Sequence, residues 1–198
     1  MIFESSLKGL VTDARLPYPC REVRIVAHHH DASQGPPAAC GRRIAIPTHP
    51  LTPSPGRIPI WPKTTVEFNT RERGISFRDV QQGSPSVLDS AHAQVFPAVS
   101  QDRAELRIVW PGYGHIVSTF HVPTSVAGLP ITRWEFARKV VECYASFWER
   151  ARRAKISRGN ERWDIKGFDF DSLVLTAVHN ADGYDAIFQV AVETVVFR

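Results

Sequence analysis

The segment from residue 131 to residue 153 carries the complete set of signals for an amphipathic helix. Thr132 and Glu135 have the spacing of a capping box, and Ile131 and Phe136 occupy the two positions of a hydrophobic staple. Apolar residues recur with the helical period, charged residues fall mostly on the opposite side, and arginines crowd the C-terminal end. Such a helix needs an apolar surface to pack against, which restricts the chain to folds that provide one.

Alternating apolar residues predict two strands on each side of this helix. Before the helix, Leu106–Trp110 and His115–Val122 flank a Pro-Gly-Tyr-Gly turn. After it, Leu173–His179 and Tyr184–Phe197 flank an Asn-Ala-Asp-Gly turn. The order β-β-α-β-β predicts an α+β fold, in which an antiparallel sheet carries the long amphipathic helix on one face.

The N-terminal part has a different character. Proline recurs from Pro47 to Pro62, which excludes a central strand or a regular helix there. Residues 1–63 are therefore expected to be irregular and proline-rich, apart from a strand-like alternation at Arg21–His28. Residues 64–198 are expected to form the core of a single α+β domain spanning residues 1–198, because 43% of the residues are hydrophobic and only 22% are charged.

Cysteine usage and hydropathy indicate the cellular surroundings. Cys20, Cys40 and Cys143 are an odd, sparse set without CxxC spacing, which is typical of a reducing compartment. The first residues contain Glu4 and no signal-peptide core, and no apolar run approaches the roughly 18 residues that a membrane span needs. We therefore expect a cytoplasmic or nuclear protein without a membrane segment.

His28 and His30 form the first candidate site. Both fall on one face of the strand predicted at residues 21–28 and its extension, so they can chelate a metal together with Cys20, Cys40 or His49. The competing interpretation is a polar strand end that runs into a loop, since the spacing matches no zinc module.

His115, His121 and His179 form the second candidate site. The first two share a face of one predicted strand, and the third lies at the end of another. As catalytic residues they would line a site on the sheet, which suits an enzyme or a small-molecule-binding protein. The competing interpretation is an ordinary polar outer face. No nucleophile elbow, phosphate loop or dinucleotide-binding motif occurs in the sequence, so no cofactor is predicted.

Basic residues cluster at the end of the helix in a chain whose formal net charge is +4. Arg152, Arg153, Lys155 and Arg158 can neutralise phosphates, and Trp163 can stack on a base. The helix dipole explains the same charges without any ligand. Nucleic-acid binding is one hypothesis that the sequence allows.

The sequence favours another hypothesis, an intracellular protein-interaction or scaffold module. The proline-rich segment from residue 47 to residue 62 offers a docking surface, with Trp61 as its aromatic anchor. The last predicted strand is apolar on much of both faces, which predicts a covered face or a homodimer contact. A protein partner or self-association is therefore expected, with nucleic acid as the alternative partner.

The strings LRIVWPGYGH, from residue 106, and PITRWEFARKVVECYASFW, from residue 130, carry a family resemblance. Together they resemble uncharacterised proteins of mushroom-forming fungi, in which a strand ending in Trp-Pro-Gly-Tyr precedes an Ile-Thr-Arg helix start. The resemblance covers Leu106 to Phe147, about a fifth of the chain. It implies a eukaryotic intracellular protein, and it assigns no activity and no functional residue.

The same Trp-x-Gly-Tyr string is similar to a strand end of chromodomains. The Trp-Glu-Pro element that follows there is missing here, because the chain continues from His115 to Pro123 instead. A tight hairpin turn is therefore expected at this string rather than a cage for methyl-lysine.

Overall fold

The computed structural model describes residues 42–48, 64–71, 73–96, 102–116, 118–180 and 187–196. In these ranges the chain forms nine strands and two α-helices. In chain order they are β1 (Arg42–Ala45), β2 (Thr64–Glu67), β3 (Ile75–Ser76), α1 (Phe77–Gln82), β4 (Arg103–Arg107), β5 (Thr119–Pro123), β6 (Ser125–Val126), β7 (Leu129–Pro130), α2 (Arg133–Arg153), β8 (Val174–Asn180) and β9 (Ile187–Val196).

Seven of the described strands form one sheet in the order β2-β8-β9-β4-β5. β3 lies beside β2 along β8, and β1 lies beside β4 along β9. The pairings are antiparallel except for β4 with β9, where Leu106 lies opposite Phe188 in parallel register. The predicted α+β fold, with a mostly antiparallel sheet and one long helix, is therefore confirmed, and the parallel pair is the departure from it.

α2 is the predicted helix, and its first turn has the predicted capping box. The Thr132 hydroxyl accepts the backbone N–H of Glu135 at 3.2 Å, and the Glu135 carboxylate accepts the backbone N–H of Thr132 at 2.9 Å. The N–H groups of Arg133 and Trp134 donate to carbonyls in the segment before β4. The hydrogen bonds from Thr132 hold the pKa of Glu135 below its ordinary value. The donors at this helix start thus have partners within the protein.

One face of α2 closes the core over the sheet. Phe188 of β9 packs against Phe96 at 5.4 Å, and Phe96 packs against Phe136 of α2 at 5.1 Å, measured between ring centroids. The side of β9 that carries Phe188 therefore faces the helix. The residues that alternate with this side along the strand face away from the helix. The buried residues of α2 are Phe136, Ala137, Val140, Val141, Tyr144, Phe147, Trp148 and Ala151.

The Pro-Gly-Tyr-Gly sequence lies in a loop from residue 108 to residue 118, so the prediction of a tight hairpin turn was wrong. β4 ends at Arg107, and the ladder closes with the Ile108 N–H donating to the Ser118 carbonyl at 2.9 Å. Burial nevertheless continues to alternate through Ile108 and Trp110, which are 1% and 2% exposed. The alternation therefore predicted the correct face, whereas the hydrogen-bond ladder ends earlier.

The last strand is an interior strand of the sheet. β9 pairs with β8 along one edge and with β4 and β1 along the other. Its apolar residues thus have neighbours within the chain, and its two-sided apolar character gives no separate support to a dimer contact.

The predicted irregular N-terminal part contains one strand that the sequence analysis did not predict. β1 pairs with the end of β9, with Arg42 opposite Val196. The strand ends just before Pro47, the first residue of the proline-rich segment. The strand expected at Arg21–His28 and the residues from 49 to 63 lie outside the described residues.

Candidate functional site

Five polar residues form a row across the outer face of the sheet, opposite α2. Neighbours in the row are cross-strand partners on adjacent strands, and we call the five the polar row: Thr65, His179, Gln189, Arg107 and Thr119. Adjacent strands lie about 4.8 Å apart, so the row extends over roughly 19 Å. It brings one predicted histidine, His179, next to polar residues that the sequence analysis did not single out.

The centre of the polar row is shielded from water. Gln189 is only 1% exposed, although it lies on the outer face. His179 is half-buried, and this burial lowers its pKa because the imidazolium loses hydration. Arg107 lies 3.7 Å from the Glu105 carboxylate. The row thus combines an imidazole, a buried amide and a guanidinium on three neighbouring strands.

The other two predicted histidines do not join His179. His121 lies exposed on the outer face of β5, opposite Glu105. Because β9 and β4 lie between them, β8 and β5 are about 14 Å apart, and His121 is also two residues away from Thr119 along β5. His121 and His179 are therefore too far apart to act on one reacting group. His115 lies in the turn before β5, where its ring stacks on Tyr113 at 6.3 Å. The prediction that His115 and His121 share a strand face was wrong, because the strand begins only at Thr119.

The two predicted metal ligands belong to the N-terminal part of the chain. His28 and His30 lie outside the described residues, as does the predicted anchor Trp61. Within the described ranges, no group of three or more His, Cys, Asp or Glu side chains is arranged to hold a metal ion.

The lowered pKa of His179 predicts a pH effect on stability. The unfolded imidazole takes up its proton near its ordinary pKa of 6.5, whereas the folded one does so only at lower pH. The contribution of the neutral His179 side chain to stability is therefore fully present above pH 6.5. It is lost as the pH falls towards the pKa of the folded state. In chemical denaturation between about pH 7.5 and about pH 5, we expect His179→Gln to lose less stability than the wild-type protein. An equal loss in both proteins would contradict this assignment.

The Trp-Pro-Gly-Tyr segment, residues 110–113, packs against the chain that follows α2, and we call it the clamp. The Trp110 indole Nε1–H donates to the backbone carbonyl of Trp163 at 2.7 Å. The Tyr113 hydroxyl donates to the Asp164 carboxylate at 3.0 Å. The Ser157 backbone N–H donates to the carbonyl of the clamp glycine at 2.9 Å. The clamp thus contacts the following segment at three separate positions.

Gly112 is the point at which the clamp and this segment come closest. Its φ of +84° lies in the left-handed region, which favours glycine. A Cβ atom at this position would lie 2.6 Å from the Ile156 Cγ1 atom and 2.8 Å from the Asn160 Cβ atom. Both the backbone conformation and the available space therefore require glycine here.

Aromatic rings surround the clamp. Trp110 contacts Trp148 at 5.3 Å and Phe168 at 5.4 Å, both edge to face, and Phe168 stacks on Trp163 at 6.1 Å. Trp163 is only 9% exposed and belongs to the hydrophobic core. The prediction that Trp163 stacks on a base was therefore wrong, because its faces already serve in packing. Burial likewise raises the pKa of the Tyr113 hydroxyl.

Basic side chains surround the C-terminal end of α2 and continue along the segment that the clamp holds. All are exposed, and we call this set the basic cap: Arg150, Arg152, Arg153, Lys155, Arg158, Arg162 and Lys166. The Arg150 guanidinium lies 5.0 Å from the centre of the Phe120 ring, and that of Arg162 lies 5.4 Å from the Trp163 ring. The cap includes the four basic residues that the sequence analysis identified.

The hairpin of β6 and β7 presents apolar side chains to solvent. Val126 and Leu129 are cross-strand partners, 43% and 67% exposed. Ala127 and Gly128 form its turn with φ values of 50° and 78°. The hairpin was not predicted from the sequence, because alanine is not the Asn or Asp that usually precedes glycine in such a turn.

A polar cleft of about 640 Å³ lies apart from these features, beside α1. Its lining includes Arg43, Arg71, Asp79 and Asp89, and none of the predicted site residues. Ser76 already donates to the Asp79 carboxylate at 2.6 Å, and Arg43 to a backbone carbonyl at 2.6 Å. Two of its charged groups thus serve local structure.

The chain matches no protein-family model, no curated protein and no solved structure. The similarity to fungal proteins around the clamp therefore stays a prediction. The polar row, the basic cap and the hairpin are the candidate functional surfaces of the described residues.

Two observations bear on the expected surroundings of the protein. Cys143 is a free cysteine, and burial raises the pKa of its thiol to about 11, which makes the reactive thiolate scarce at neutral pH. Among the residues with described positions, no helix combines the length and apolar character of a membrane span.

Proposed function

We propose that the protein is an intracellular protein-interaction module and that the hairpin of β6 and β7 is its contact surface. The exposure of Leu129, at 67%, carries this proposal. Val126 lies opposite Leu129 in the hairpin and is also exposed, so the two form one apolar contact pair. A partner with an apolar pocket would remove both side chains from water, which is favourable by about 1.5–3 kcal/mol for a fully buried aliphatic side chain.

The attachment of the hairpin supports the same proposal. The Ile131 N–H donates to the Thr124 carbonyl at 2.9 Å, and the Val95 N–H donates to the Ile131 carbonyl at 3.1 Å. Ile131 itself is fully buried. These bonds fix the base of the hairpin next to the start of α2. A preformed contact surface loses less conformational entropy on binding than a flexible loop does.

The surroundings proposed for this module are cytoplasmic or nuclear in a eukaryotic, fungal cell. The sparse cysteines without CxxC spacing support a reducing compartment. The similarity of the clamp and helix start to proteins of mushroom-forming fungi supports the source. Self-association through the hairpin is one form that the interaction can take.

The alternative of a histidine-lined catalytic site has weaker support. His179 is placed among polar neighbours, but His121 lies on a strand that is about 14 Å away. The polar row instead resembles a hydrogen-bonding surface, which suits recognition of a polar ligand better than acid–base chemistry.

The test compares partner capture by the wild-type protein with capture by Leu129→Ser. Each protein carries an affinity tag and is expressed in cells of the source organism, and the captured proteins are quantified by mass spectrometry. Light scattering on the purified proteins measures self-association in parallel. We expect at least a tenfold loss of a specific partner, or of self-association, because the main apolar anchor is removed.

Val87→Ser is the matched control, because Val87 is also an exposed aliphatic residue, at 39%. Neither substitution should change stability by more than about 0.5 kcal/mol, since both side chains are exposed. The proposal is wrong if Leu129→Ser and Val87→Ser retain the same partners and the same oligomeric state as the wild-type protein.

A further inference from the structure

The segment that carries the basic cap has a formal charge equal to that of the whole protein. The segment from Glu149 to Lys166 contains seven basic and three acidic residues, so its formal charge of +4 equals that of the complete chain. The remaining basic and acidic residues of the chain balance. A positive field therefore concentrates around the end of α2, where it attracts anionic partners.

The basic cap is also an ordered surface. Arg150 and Arg162 lie over the rings of Phe120 and Trp163, which restricts their guanidinium groups. The Arg150 Nε–H also donates to the Ser146 carbonyl at 3.1 Å. Beyond the helix, the clamp fixes the backbone through its hydrogen bond from Ser157. Two guanidinium groups of the cap and the backbone beyond the helix thus have defined positions before any ligand binds.

Among the described residues, the acidic side chains of this segment form few direct ion pairs with the basic cap. The Glu161 carboxylate accepts the Gly159 N–H at 2.9 Å, and Asp164 accepts the Tyr113 hydroxyl and the Lys166 N–H. Glu149 contacts Arg153 only at 3.8 Å, and both side chains are mostly exposed. Such an exposed pair is weak and gives way readily to a stronger anion.

We propose that the basic cap binds the phosphate backbone of double-stranded nucleic acid without reading its sequence. Five of its seven residues are arginines, whose planar guanidinium groups match phosphate oxygens. Trp163 is buried, so the cap lacks the exposed ring on which single-stranded bases stack. The exposed large apolar side chains of the described residues are Ile44, Val87, Val126 and Leu129, and none belongs to the cap. Insertion into a lipid surface would need such side chains.

The test is fluorescence anisotropy of the full-length protein with labelled duplexes of unrelated sequence, one DNA and one RNA. Binding should be similar across sequences and should weaken linearly on a log–log plot against salt, with a slope of about −0.9 for each phosphate contacted. In Arg152→Glu/Lys155→Glu, affinity at low salt should fall at least tenfold and the slope should decrease by about two.

The control is Arg78→Glu/Arg138→Glu, which changes the net charge by the same amount at exposed positions outside the cap. It should retain most of the affinity, which separates a local site from a general effect of charge. Circular dichroism confirms that both variants fold. Absence of duplex binding at low salt, an equal loss in both variants, preference for single strands, or binding only to anionic vesicles or polyglutamate would overturn the proposal.

Discussion

Trp110→Ala is expected to lower the free energy of unfolding by about 3–5 kcal/mol, the range for removing a large aromatic residue from a core. Trp110 is only 2% exposed and packs edge to face on Trp148 and Phe168. The substitution also removes the donor that pairs with the Trp163 carbonyl at 2.7 Å. The losses therefore fall on the contacts of the clamp with α2 and with the segment that follows it. Equilibrium denaturation with urea measures the change.

Trp110→Phe separates these two contributions, and it also covers the case in which Trp110→Ala does not fold. It retains an aromatic ring and loses the indole N–H, so we expect a smaller destabilisation of about 1–3 kcal/mol. Trp134→Ala is a second comparison, because Trp134 is only partly buried. If the free energy of unfolding of Trp110→Ala is within about 1 kcal/mol of the wild-type value, the clamp does not hold this part of the core together.

Gly112→Ala is expected to destabilise the protein by about 2–4 kcal/mol, because two effects combine. The left-handed backbone conformation costs a non-glycine residue roughly 1–2 kcal/mol. The new methyl group would also meet the Ile156 side chain at 2.6 Å and the Asn160 Cβ atom at 2.8 Å, so the clamp and the following segment must separate. Thermal and urea denaturation measure the loss.

Gly114→Ala is the control from the same loop. A Cβ atom at Gly114 has no heavy atom within 4 Å, and its backbone does not have a positive φ. This variant should match the wild-type protein to within about 0.5 kcal/mol. Equal destabilisation by both substitutions would show that the loop responds to any added side chain, rather than to close packing at residue 112.

The helix and the order of the strands could be predicted because their signals are local. Thr132, Glu135 and the apolar stripe are signals that span only a few turns of one helix. The start of α2 and its buried face lie where these signals predict them. The pairing of strands depends on contacts between distant residues. The parallel register of β4 with β9, in which Leu106 lies opposite Phe188, therefore had no signal in the local pattern.

The clamp shows where the prediction of a strand from alternating apolar residues fails. Leu106, Ile108 and Trp110 alternate as in a strand, and all three are buried. Only the backbone hydrogen bonds reveal that β4 ends at Arg107 and that the rest is loop. The sequence does not indicate that Gly112 approaches Ile156, because that contact depends on how the chain turns after α2.

The candidate surfaces were predicted to different extents. The charges of the basic cap are visible in the sequence, but the burial of Trp163 depends on the tertiary packing of Phe168 and the clamp. The polar row depends on strand register, which alone places His179 beside Gln189 and far from His121. Composition could not have identified that arrangement.

The central claim is that the clamp orders the segment that carries the basic cap. Hydrogen–deuterium exchange tests it most directly at the Ser157 amide, whose N–H donates to the Gly112 carbonyl at 2.9 Å. In Gly112→Ala, amides from residue 154 to residue 166 should exchange at least tenfold faster than in the wild-type protein, while the centre of α2 changes much less. Gly114→Ala should match the wild-type protein. Equal exchange of this segment in all three proteins would contradict the claim.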